Sequence, residues 1–144
     1  MNKSDNMLED IKIHVKLKLS ALWASLMFCY IYGDYFGLHK PGTLQEMLDG
    51  KMGPLGPVTQ GILLGTSLMM AIPSIMVFLS LILKPNFNRW LNIIFGILYT
   101  AIILLTMPGA WSFYIFLGVV EVTLSLLIVW YAWTWPKHKA FTNS

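Results

Sequence analysis

The sequence predicts an all-α fold: an integral membrane four-helix bundle with a short N-terminal interfacial helix, built as a single membrane domain over residues 1–144. Three observations predict it. Only 12% of the residues are charged and 56% are hydrophobic, where soluble domains run at about 25% charged. Four apolar runs approach the roughly 20 residues that a helix needs to cross the hydrocarbon. Eight of the ten lysines and arginines fall on one side when those runs are laid across a bilayer.

Each element follows in order. Before the first run, Ile11, Ile13, Val15 and Leu17 alternate with Lys12, His14, Lys16 and Lys18, and such a period of two suits a strand. Leu8, Ile11, Val15 and Leu19 also share one helical face, and Asn6 with Glu9 has capping-box spacing. A lone strand on a membrane surface has no partner, so the arm reads as an interfacial helix. The first span covers about 19–38. Lysines precede it as in a signal peptide, but no small-x-small site follows, and Phe28 stands where a lipoprotein-like site ending at Cys29 needs a small residue. The first helix is therefore expected to stay in the mature protein.

A loop over 39–57 follows. Thr43 and Glu46 have capping-box spacing, Leu44, Met47 and Leu48 form an apolar edge, and Gly50 ends the turn. A short helix over the outer mouth is expected, as connector or lid. Gly53, Pro54, Gly56 and Pro57 then impose an extended approach to the second span, about 58–83. The 84–89 turn leads to the third span, about 90–107. The tight Pro108-Gly109-Ala110 link makes the third span and the fourth, about 111–133, a hairpin.

Lys3, Lys12, Lys16, Lys18, Lys84, Arg89, Lys137 and Lys139 lie on one side, and Lys40 and Lys51 on the other. Positive residues favour the cytoplasm, so both termini are expected there. Trp90, Trp130, Tyr131, Trp133 and Trp135 mark the inner boundary, and Tyr35, Phe36 and Trp111 the outer one.

Lipid gives helices no hydrophobic reason to associate, so small residues matter for packing. Gly61 and Gly65 form a G-xxx-G pair. Ser20, Ala21, Ala24 and Ser25 on the first span, Gly96 and Thr100 on the third, and Gly118, Thr123 and Ser125 on the fourth offer matching spacing. Packing within the bundle is the ordinary use of such a pair; the other is a homodimer through Gly61 and Gly65. Pro73 should kink the second span.

Glu121 is the strongest functional signal. An ionised carboxylate deep in a bilayer costs several kcal/mol unless it is paired, hydrogen-bonded or protonated. At about 1.5 Å per residue it lies roughly 13 Å from the outer boundary, and Tyr30, Thr66, Ser67, Tyr99 and Thr100 lie at roughly 10–14 Å. Asp34 is one turn above Tyr30, and Gln60 starts the second span near the depth of Asp34. Together these residues suggest a polar pocket opening outward, with Glu121 at its floor and Asp34 at its mouth. The plainer readings are hydroxyls bonded within their own helices and Glu121 as a protonated tie between helices.

Other chemistry is excluded or unsupported. No His/Cys spacing supports a metal site. No Ser-His-Asp, phosphate-loop or dinucleotide pattern appears, so no catalytic residue is assigned, and no cofactor is indicated. His39 reads as a solvated loop residue. The single Cys29 excludes an internal disulfide. The net charge of +3 sits beside apolar runs and marks topology rather than a nucleic-acid surface.

Several stretches carry a family resemblance: Lys18-Leu-Ser-Ala-Leu-Trp23, Tyr30-Ile-Tyr-Gly-Asp34, Thr59-Gln60-Gly61, Asn88-Arg89-Trp90-Leu-Asn92, and Glu121 followed by Val129-Trp-Tyr-Ala-Trp133. The chain resembles an uncharacterised bacterial family of small four-helix integral membrane proteins, over nearly its whole length. The resemblance implies a multi-pass protein of the bacterial cytoplasmic (inner) membrane and carries no known active site. In helix number and size the layout is also similar to DoxX-like membrane proteins, some of which work beside quinone-linked oxidation.

Three functions are compatible with these features. The favoured one is a binding or accessory protein holding a small amphipathic ligand, lipid or quinone around Glu121. The alternative is a small dimeric proton-coupled transporter using Glu121. Its layout resembles small multidrug exporters, though here the acid lies on the last helix and the two halves show no repeat. A membrane enzyme using Glu121 and Asp34 as acid and base ranks last, since no nucleophile accompanies them.

Overall fold

A computed structural model describes residues 11–136. It holds five α-helices: α1 Val15–Gly37, α2 Thr43–Leu48, α3 Gln60–Ile82, α4 Pro85–Thr106 and α5 Ser112–Trp133. All but α2 are long and apolar enough to cross a membrane. At 22 or 23 residues each, they reach about 33 Å, against roughly 30 Å of hydrocarbon.

The starts of α1 and α4 differ from expectation for local reasons. Residues Ile11 to His14 are not helical. The interfacial helix is absent there, and its capping pair Asn6 and Glu9, with Leu8, lies outside the described residues. His14 is the N-cap of α1: its Nδ1 accepts from the Lys16 N–H at 3.2 Å. Val15 and Leu19, read above as part of the arm's apolar face, belong to the buried face of α1. Likewise α4 opens at Pro85, whose fixed φ and missing N–H suit the first helical position. Asn88 therefore stands inside the helix rather than at a turn.

The loop also departs from expectation. Gly42, in the left-handed region at φ 86°, is the N-cap of α2, and Thr43 makes no capping bond. The approach to α3 begins with a 3₁₀ turn, Gly53–Leu55, and is extended at Thr59. The turn is closed by Met52 N–H to Gly56 O at 2.8 Å and Val58 N–H to Gly50 O at 2.7 Å. No residue of α2 is buried.

In the bundle, α1 packs against α3 and α5, and α5 against α1 and α4, while α3 and α4 meet only briefly. The tight 107–111 link, with Gly109 at φ 76°, folds α4 onto α5 as the expected hairpin. Two ends can be distinguished: a loop end, bearing residues 39–57, and a basic end, bearing Lys16, Lys18, Lys84 and Arg89. Packing is uneven between them. Leu19, Trp23, Leu26, Met76, Ile93, Ile128 and Ala132 form the core in the basic half. The loop-side half of α3 has no buried residue before Pro73.

Small residues are used selectively. A Cβ at Gly96 would lie 2.7 Å from Val129 Cγ2 and 3.4 Å from the Ser125 carbonyl oxygen, so Gly96 lets α4 and α5 approach closely. Gly61 and Gly65 do the opposite of what bundle packing requires. Both face outward, and a Cβ at Gly65 meets nothing within 4 Å. Helical glycine costs up to about 1 kcal/mol relative to alanine. Gly65→Ala is therefore expected to hold or raise monomer stability by up to about that amount in an SDS titration. A concentration-dependent loss would show that an oligomer covers this face.

Candidate functional site

The interior carries a column of polar and aromatic side chains. At the basic end, Asn88 and Asn92 are fully buried one turn apart on α4. Asn92 Nδ2 donates to Asn88 Oδ1 at 2.6 Å and to the Asn88 carbonyl at 2.9 Å. Asn88 Nδ2 donates to the Ser80 carbonyl of α3 at 2.6 Å. Asn92 Oδ1 accepts from Trp23 Nε1 of α1 at 2.7 Å and from Ser80 Oγ at 3.4 Å. One amide thus ties α1, α3 and α4 together. By sequence, Asn88 falls in the 84–89 turn and Asn92, inside the third span, has no assigned role. The signal was two amides spaced i, i+4 beside a span, the spacing that puts both on one face.

Toward the loop end the column becomes aromatic. Trp23 meets Tyr99 edge-on, with centroids 6.0 Å apart, and Tyr99 lies beside Tyr30 at 6.3 Å. The buried Tyr99 hydroxyl donates to the Met69 carbonyl of α3. The thin α3–α4 seam is therefore held at both levels by side-chain hydrogen bonds rather than by close packing.

Glu121 stands on the buried stripe of α5 with Gly118, Ser125, Ile128 and Ala132. It is 7% exposed, and its carboxyl has no hydrogen-bond partner among the described residues. Tyr30 and Cys29 of α1 lie within electrostatic reach of it, as does Asp34 one turn further out. Gly33, facing Leu117 at 3.7 Å from a built Cβ, lets α1 and α5 meet at this level. The Tyr30 hydroxyl is buried and also without a partner.

The structure thus gathers Glu121, Tyr30 and Tyr99 in one region, with Asp34 exposed at its loop-end edge. It does not gather the others. Thr100 donates to the Gly96 carbonyl and shares a 2.7 Å bond with Ser125 Oγ, tying α4 to α5 one turn below Glu121. Thr66 bonds to its own helix, at Ile62 and Leu63. Gln60 and Ser67 are exposed and line a shallow outward groove with Gly61, Leu63 and Leu64. A second depression, lined by Leu38, His39, Lys40 and Leu44 among others, belongs to the loop. Among the described residues no group of three His, Cys, Asp or Glu could hold a metal.

Fold and site together define an all-α protein whose four long helices can cross a membrane around a buried polar column. The chain belongs to DUF6326, a family of unknown function, whose profile matches residues 8–142. No curated protein and no solved structure matches it.

Proposed function

We propose that this is a multi-pass protein of the bacterial cytoplasmic membrane, with both termini cytoplasmic, that binds a small amphipathic ligand, lipid or quinone through Glu121 and Tyr30. One observation carries this reading. The polar groups of Ser20, Trp23, Ser80, Asn88, Asn92, Tyr99, Thr100 and Ser125 are all bonded to a neighbouring helix or their own. The Tyr30 hydroxyl is buried without a partner, and the Glu121 carboxyl, within electrostatic reach of it, is bonded to none of the described residues. Buried polar groups are retained unpaired at a cost, and a headgroup with a hydrogen-bond donor and acceptor would satisfy both. The unburied loop-side half of α3 supports entry from that end.

The test uses decylubiquinone and phosphatidylglycerol as probes on detergent-purified protein. Glu121→Gln and Tyr30→Phe are each expected to weaken binding of the retained probe about tenfold, the loss of one hydrogen bond to a charged or buried group. Glu121→Leu should abolish binding while raising thermal stability by about 1–2 kcal/mol, because an unpaired buried polar group is replaced by an apolar one. A destabilised Glu121→Leu protein would instead make Glu121 a tie between helices and overturn the binding site.

The alternative, a dimeric proton-coupled transporter, is favoured by one observation: Gly61 and Gly65 face outward with open space beside Gly65. Substrate uptake by proteoliposomes that survives Glu121→Gln would sink it, since an amide cannot carry a proton in turnover.

A further inference from the structure

At the basic end, far from Glu121, Arg89 occupies the first turns of α4 beside the last residue of α5. Its guanidinium carbon lies 5.9 Å from the Trp90 ring centroid and 5.8 Å from that of Trp133. Both indoles are more than half exposed, at 56% and 62%, so they face the surroundings of the bundle. Arg89 itself is half-buried, and its Nε is buried with no hydrogen-bond partner. An arginine offers five N–H donors in a rigid fork, and among the described residues none of them has a protein acceptor. Among the described residues the usual acceptor, a carboxylate, is missing from this end. The described acidic residues are Asp34, Glu46, Asp49 and Glu121, whereas Lys12, Lys16, Lys18, Lys84 and Arg89 gather here.

Two of the four lysines at this end are already engaged. Lys16 Nζ donates to the Leu81 carbonyl at 3.1 Å, closing the C-terminal turn of α3. Lys18 sits 5.0 Å over the Tyr131 ring on α1's side of α5. Arg89 is left as the free fork. The N-terminus of α4, where Lys84 provides no side-chain cap, adds the positive end of a helix dipole.

We propose that Arg89, clamped between Trp90 and Trp133, binds the phosphate of an anionic phospholipid at the membrane interface. The phosphate diester supplies two non-bridging oxygens that accept from the guanidinium fork. The two exposed indoles supply the amphipathic flanks that sit at headgroup level, with their apolar faces toward the acyl chains. The site is independent of the Glu121 reading and stands or falls separately.

The experiment is native mass spectrometry of the full chain in detergent, titrated with phosphatidylglycerol or phosphatidylcholine. Phosphatidylglycerol is expected to be retained in preference to phosphatidylcholine, and Arg89→Gln to weaken its retention about tenfold. Arg89→Lys keeps the charge but loses the fork and is expected to fall between the two. Trp133→Leu is expected to weaken retention with the helical content unchanged, which keeps the test decisive if Arg89→Gln misfolds. Lys12→Gln removes the same charge from the same end and is expected to leave retention unaltered. Equal losses from Lys12→Gln and Arg89→Gln would reduce the effect to surface charge and overturn the site. Displacement of the lipid by millimolar inorganic phosphate, with no preference between the two lipids, would identify a free-phosphate site and overturn the lipid assignment.

Discussion

Replacing Asn92 with leucine is expected to destabilise the bundle by about 2–3 kcal/mol, the largest loss from any near-isosteric change in the interior. Interhelical hydrogen bonds in membranes contribute only about 0.6 kcal/mol on average. Asn92 differs because one side chain satisfies several buried groups. Its removal leaves the Trp23 indole N–H without its 2.7 Å acceptor and Asn88 Oδ1 without its 2.6 Å donor. Each orphaned buried group costs about 1–3 kcal/mol, partly offset by the apolar replacement. An SDS or thermal titration of the purified protein measures the loss. Trp23→Phe combined with Asn92→Leu should cost less than the sum of the two, because the second change removes the orphan left by the first. Strict additivity would show that the Trp23–Asn92 bond contributes nothing.

The second large effect is expected at Gly96. Gly96→Val should cost about 2–3 kcal/mol through overpacking between α4 and α5. A Cβ there falls 2.7 Å from Val129 Cγ2, and a β-branched side chain on a helix has essentially one χ1 state in which to yield. The Ser125 carbonyl on the far side, at 3.4 Å, is backbone and cannot retreat cheaply. The same strain should loosen the Thr100–Ser125 bond one turn along. Val129→Ala makes room and should recover much of the stability of Gly96→Ala in the same titration. If Gly96→Ala tolerates an unchanged Val129 without loss, the close α4–α5 approach is not what holds the hairpin together.

These two sites differ in how far the sequence announces them. Gly96 is visible as a small residue in an apolar span, the common mark of close packing in membranes. Gly61 and Gly65 carry the same mark more strongly, yet face outward. Residue type alone cannot separate these cases. A soluble helix reveals its buried face by an apolar stripe. Helices α3 and α5 are apolar all round, so the pattern carries little rotation signal. For the same reason Thr66 and Ser67, expected near the depth of Glu121, and Gln60, expected near that of Asp34, turn out to bond within α3 or face outward, while Tyr30 and Tyr99 turn inward. Asn88 was obscured differently: Pro85 to Arg89 read as a turn, and the N1 position of Pro85 carries the helix back far enough to bury it, whereas Asn92 lay inside the expected span with nothing in the pattern to mark its face.

The sequence by itself determined the number of long helices, the α4–α5 hairpin and the gathering of cations at one end. These follow from transfer energies and helical rise, which depend on composition along the chain. Only the tertiary structure decided which groups share a face: the Asn88–Asn92–Trp23 tie, the gathering of Glu121 and Tyr30 in one region, and the setting of Arg89 between Trp90 and Trp133. Those depend on each helix's rotation about its axis, and in these helices that rotation is set by close packing and side-chain hydrogen bonds with neighbours.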